Sequence, residues 1–159
     1  MTDGAANADP DATRAATRGG VERFLAALNA GDPDRIAACV TDDFHNEHTS
    51  TLGHSLRGRA AYRERLPQFL RQFTDLRYDL EDLVVDGERA AAAYRMSCRW
   101  LDEGGTAHPV TIRGVFRFQV ADGAIAHRID YWDSGEFQRQ VAIAPTSATT
   151  SPASSTGEP

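Results

Sequence analysis

The stretch Gly114–Asp133, GVFRFQVADGAIAHRIDYWD, decides how this chain is read. Phe116, Phe118 and Val120 alternate with Arg117 and Gln119, the two-residue period of a strand with one face buried. Asp122-Gly123 then supplies a tight hairpin, because both central positions of a type I′ turn need positive φ. The returning strand carries Asp130 between Ile129 and Tyr131. A carboxylate in such apolar company must be hydrogen-bonded, paired or chemically used. Strand parity puts Arg128, Asp130 and Trp132 on one face and Ile129, Tyr131 and Asp133 on the other.

Working outward, Asp86-Gly87 and Glu103-Gly104-Gly105 are two further turn signals. Together the three turns separate four strands, at about 75–85, 89–101, 108–121 and 124–133. Upstream, Val21, Phe24, Leu25 and Leu28 form the buried stripe of a first helix, closed by Gly31. Asp32-Pro33 opens a short second helix, and Phe44–His48 reads as a strand. Thr49–Arg57 is a loop, and Gly58 leads into a third helix with Tyr62, Leu66, Phe69, Leu70 and Phe73 on one side. Pro67 lies inside that stripe and predicts a kink or a break. Ser134–Val141 is a last short helix or strand extension. Helices kept apart from an antiparallel meander make an α+β fold.

The 159 residues suit one domain. Residues 1–16 and 144–159 are polar or low-complexity and read as disordered tails, leaving 17–143 as the folded unit. A net charge of -6 with dispersed arginines argues against a nucleic-acid or anionic-membrane surface. No apolar run nears the ~20 residues of a membrane span, and the N-terminus has no signal-peptide core, so the cytoplasm is the expected compartment. Cys39 and Cys98 have neither disulfide-framework nor metal spacing.

Several pieces, in this order and spacing, resemble the SnoaL-like proteins of the nuclear transport factor 2-like superfamily. They are Leu28-Asn29-Ala30-Gly31-Asp32, Arg57-Gly58-Arg59, Asp75-Leu76-Arg77 with Asp86-Gly87, and Asp130-Tyr131-Trp132-Asp133. The resemblance covers nearly all of residues 18–142. It implies a cone-shaped roll, a strongly curved and mostly antiparallel sheet wrapped around helices, with an apolar pocket at one end. It also implies a homodimer formed through the outer sheet face and a hydrophobic small-molecule ligand, with no cofactor. Polyketide cyclases, ketosteroid isomerases, limonene epoxide hydrolases and catalytically silent binding modules share the fold, so the fold alone does not decide function.

In that family the last long strand points a carboxylate into the pocket, which makes Asp130 the expected acid/base. Trp132 beside it would desolvate the carboxyl and raise its pKa, whereas a neighbouring arginine would make it a structural ion pair. The resemblance to epoxide hydrolases matches Arg95 to the arginine of that site and Asn46 to a water-positioning residue. Ser97 stands where the second acid should be and Phe44 where a tyrosine should be, so those steps are not expected to run unchanged. Arg95 and Arg99 have a plainer reading, as charge compensation for Asp130 across the sheet. His48 shares its face with Phe44 and Asn46 and falls near the position of the ketosteroid isomerase base. His45 and His48 lie three apart on a strand and face opposite sides, so no metal site is expected from that pair. Of the other histidines, His54, His108 and His127 are given no role, with His127 alternating outward. The expected site is therefore Asp130, Arg95, Asn46 and His48, with Phe44, Tyr62, Ser97, Arg99, Ile112, Trp132 and Phe137 contacting substrate. Proton transfer on a hydrophobic carbonyl compound, in a cyclisation or isomerisation, is the leading expectation. A non-catalytic ligand-binding or dimerisation module is the alternative, and an epoxide hydrolase with a replacement acid the third.

Overall fold

The computed structural model describes residues 9–142. The element order is α1 (Pro10–Ala30), α2 (Pro33–Ala38), β1 (Val40–His48), β2 (Leu56–Arg57), α3 (Arg59–Gln72), β3 (Phe73–Asp86), β4 (Arg89–Leu101), β5 (Ala107–Ala121), β6 (Ala124–Trp132) and α4 (Ser134–Ala142). Among the described residues six strands form one open sheet in the order β2-β1-β6-β5-β4-β3. Four of its five pairings are antiparallel, while β1 runs parallel to β6, joining the N-terminal half of the chain to the meander. The α+β roll expected from the sequence is the architecture observed.

Helix α1 starts earlier than expected. Residues 10–16 belong to it rather than to a tail, because Asp9 accepts a bond from the Asp11 amide and Pro10 fits the first turn. The expected tails at residues 1–8 and 144–159 lie outside the described residues. Pro67 does not divide α3, which runs as one helix through it. Asp122 and Gly123 both have positive φ, 49° and 76°, as the hairpin reading requires.

Val21, Phe24, Leu25 and Leu28 of α1 are buried against the sheet. Each contributes roughly 1.5–3 kcal/mol through the apolar surface it removes from water. Gly20 lets the helix come down on the β5–β6 turn, since a Cβ there would overlap the Gly123 carbonyl. At its C-terminal end Asn29 is clamped to β3: it accepts from the Tyr78 amide at 2.7 Å and donates to the Tyr78 carbonyl at 2.9 Å. Asp75, at φ 53°, lies where the β3–β4 register shifts between Thr74 and Arg77. That irregularity and a second one near Asp82 bend the strand, leaving a hollow between the sheet and the helices. Among the described residues no helix is long and apolar enough to cross a membrane.

Candidate active site

A cavity of about 490 Å³ opens in that hollow, within the usual size range of small-molecule sites. Its walls are largely apolar: Leu28, Tyr62, Leu66, Met96, Ile112, Trp132 and Phe137 all line it. Its polar groups converge from two neighbouring strands. Asn46 and His48 project from β1, and Arg128 and Asp130 from β6; all four line the cavity. Parallel pairing sets Asn46 opposite Arg128 and His48 opposite Asp130. Alternation along each strand keeps the four on the concave side.

Asp130 is 5% exposed. The Tyr94 hydroxyl donates to its Oδ1 at 2.7 Å. Burial pushes the carboxyl up to about 6, although the Arg128 charge and the Tyr94 bond both oppose that rise. Gly114 makes room for the tyrosine, because a Cβ there would overlap its hydroxyl.

Arg128 is equally buried. Its Nε donates to Asn46 Oδ1 at 2.9 Å and its Nη2 donates to the same oxygen. The guanidinium lies 4.9 Å from the Phe116 ring centre and 5.6 Å from that of Phe24, an attractive placement for a cation. Neither Arg128 nor any other arginine among the described residues comes within ion-pair distance, 4.0 Å, of Asp130. Arg128 lines the cavity, and among the described residues its Nη1 makes no hydrogen bond.

The His48 ring links the two charges. Its Nε2 lies 3.4 Å from Asn46 Nδ2 and 3.5 Å from Arg128 Nη2, both donors. Those neighbours assign the ring proton to Nδ1. Nδ1 is 3.4 Å from Asp130 Oδ2, close enough for a charge contact but lacking hydrogen-bond geometry, and it has no hydrogen-bond partner among the described residues. Burial, reinforced by the positive charges of Arg128 and Arg65, pushes the imidazole down to about 3. His48 is therefore neutral near neutrality, and its contact with Asp130 is that of a dipole rather than an ion pair.

Asp130, Asn46, His48, Tyr62, Ile112, Trp132 and Phe137 thus meet around one cavity. Four expected site residues lie elsewhere. Strand β4 turns Ala90, Ala92, Tyr94, Met96 and Cys98 inward, so Arg95, Ser97 and Arg99 fall on the outer face. Arg95 pairs with Glu81 at 3.3 Å. The arginine–serine arrangement likened to an epoxide hydrolase is therefore not formed at the cavity. Phe44 is fully buried against Tyr62 and belongs to the core. In place of Arg95 stands Arg128, which strand parity had set beside Asp130 without a role. Tyr94 was not anticipated; its signal was the apolar phase of β4. His54, given no role, lines the cavity mouth with Arg65.

A family model described as a SnoaL-like domain matches residues 21–128. Among solved structures, TsrD from Streptomyces laurentii is 27% identical over 82% of this chain and 98% of its own, with a TM-score of 0.67. A candidate polyketide cyclase from Xanthomonas campestris pv. campestris is 28% identical, covering 81% of this chain and 98% of its own, with a TM-score of 0.67. A candidate ketosteroid isomerase from Kribbella flavida, 23% identical over 76% of this chain and 79% of its own, has a TM-score of 0.59 and shares the fold. No curated protein matches.

Proposed function

Since the chain belongs to the SnoaL-like domain family, we propose that it is a small-molecule enzyme that moves a proton on a hydrophobic carbonyl compound. Asp130 is the acid/base. Its carboxylate takes a proton from the carbon beside a carbonyl, and the C–H electron pair forms a C=C bond as the carbonyl oxygen becomes an enolate. Arg128 Nη1 supplies the positive charge for that oxygen, a donor whose worth grows as the negative charge develops. Where a C=C adjoins that carbon, the anion is a dienolate and takes the proton back at the far end of the C=C, an isomerisation; otherwise the enolate attacks a second carbonyl, a cyclisation. In the second case the proton held by Asp130 neutralises the new alkoxide.

The observation that carries this reading is a buried carboxyl in the cavity wall with no guanidinium in ion-pair contact among the described residues, a placement whose desolvation pushes the group up to about 6. Such a group spends time in both protonation states near neutrality, as a proton shuttle must. His48, held neutral, presents the dipole of its ring to the carboxylate rather than acting as the base. The apolar walls favour a hydrophobic ligand.

The test is a ¹³C titration of the Asp130 carboxyl carbon, assigned with Asp130→Asn. A midpoint near 6 supports the proposal. A midpoint at or below the ordinary ~3.9 refutes it and leaves the cavity a binding site without chemistry.

We infer also that two copies pair through the outer sheet face. There Ala93, Val115 and Tyr131 stand opposite one another across three strands, and Val84 stands opposite Ala91, with Arg117 between Ala91 and Ile129. Val84 is 60% exposed and Tyr131 41%, apolar surface that a second copy would cover.

A further inference from the structure

The parallel β1–β6 pairing that assembles the cavity also brings three ligating side chains together on the opposite, convex face. His45 and Glu47 are two apart on β1 and so share a side; His127 faces the same way and pairs directly with His45. The two imidazole rings stack at 4.4 Å between centres, 16° from parallel. His127 Nε2 is 2.9 Å from Glu47 Oε2. One ligating atom from each of the three lies within 4.8 Å of the others. Bond lengths of ~2.0–2.2 Å to zinc place tetrahedral ligands ~3.4 Å apart, so closing the set takes shifts of up to about 1.4 Å and a swing of the stacked rings that turns their in-plane lone pairs toward one point.

We propose that His45, Glu47 and His127 form a binding site for a divalent transition-metal ion, with zinc the best fit. Two imidazoles and one carboxylate favour zinc over magnesium or calcium, which prefer all-oxygen shells. The expectation of no metal came from His45 and His48, which strand parity separates. The missing ligand is on the neighbouring strand, where His127 looked like a lone outward histidine. The charges facing the cluster are few. Arg57 of β2 stands opposite His45 and opposes a cation, while Glu47 favours one.

An ion there would tie β1 to β6 at the one parallel junction of the sheet. Arg128 and Asn46, on the reverse side of the same strands, would then be held in register from behind. The site does not depend on the proposed proton transfer: its ligands do not line the cavity.

The test uses the full chain without an affinity tag, stripped with chelator. It is titrated with zinc by calorimetry and with cobalt by visible absorption, and its thermal unfolding is followed with and without zinc. Expected are one saturable zinc per chain, cobalt d–d bands of a nitrogen/oxygen site, and a raised Tm. His127→Ala and Glu47→Gln should each weaken binding by roughly tenfold or more while keeping the native circular dichroism. These side chains lie outside the core, and the milder Glu47→Gln guards against misfolding of the histidine variant. His48→Ala should leave zinc affinity unchanged. Absence of saturable binding overturns the proposal. So does binding that survives both ligand substitutions, or binding that His48→Ala abolishes, which would place the metal in the cavity.

Discussion

Asp130→Asn should gain stability relative to the parent chain as pH rises. The folded carboxyl ionises at about 6, against ~3.9 in an unfolded chain. Its folded pKa is raised, so its favourable contribution is full below the unfolded value and is lost as pH climbs through about 6. Two pKa units at ~1.4 kcal/mol each make the ionised form about 3 kcal/mol less well tolerated in the fold than in the unfolded chain. Asparagine never ionises, so the difference between variant and wild type should open between about pH 4 and 6 and level off near 3 kcal/mol by pH 8. The offset at low pH is a separate matter. An amide NH₂ set toward His48 Nδ1–H opposes two donors, which costs stability equally at every pH, so the slope and not the intercept carries the information. All other titrating groups are shared and cancel in the difference. Urea denaturation of both proteins at pH 4, 5, 6, 7 and 8 measures it. A flat difference, or one that turns against the variant as pH rises, would mean that Arg128 wins over desolvation and that Asp130 is a stable anion.

Other consequences are equally direct. Tyr94→Phe removes a hydrogen bond that favours the carboxylate, so the Asp130 midpoint should rise above about 6 in the same ¹³C titration. Gly114→Ala should act in the same direction by pushing the Tyr94 hydroxyl away, and overpacking there should also cost about 1–3 kcal/mol in chemical denaturation. Asn29→Ala leaves the Tyr78 amide and carbonyl without partners and should cost about 2–3 kcal/mol with little effect on ligand binding. Val115→Glu sets a charge beside Tyr131 on the outer face, and light scattering after size exclusion should show monomers where the parent chain shows dimers.

Much of the fold was legible because local signals agreed with one another. Asp122-Gly123 could only be a tight turn, and α1 carried one continuous apolar stripe. The Asn29 in the Leu28–Asp32 piece proves to be the clamp on Tyr78, a role that no helix pattern announces because its partner is 49 residues away. Strand β2 went unseen because two residues carry no period. The parallel β1–β6 pair was hidden for a related reason: antiparallel hairpins advertise themselves through turns, and a parallel neighbour has none.

The misplacement of Arg95 shows where pattern reading fails at a site. In β4, Ala90-Ala91-Ala92-Ala93 blurs the phase, since both faces read as apolar. The phase reappears at Tyr94, Met96 and Cys98, alternating with Arg95 and Arg99, and it sends the arginines outward. A family match on residue type put an arginine near the carboxylate, and the protein has one there, but on β6 and in register with Asn46. The proposed chemistry calls for a buried cation at the cavity wall, and any strand whose inward phase meets the cavity can supply it. The same rule explains why His48 was set in the cavity while His127 was dismissed. Inward polar residues are conspicuous because burial demands partners for them. Outward residues raise no such demand, so a ligand set on the convex face becomes visible only when the strand order is known.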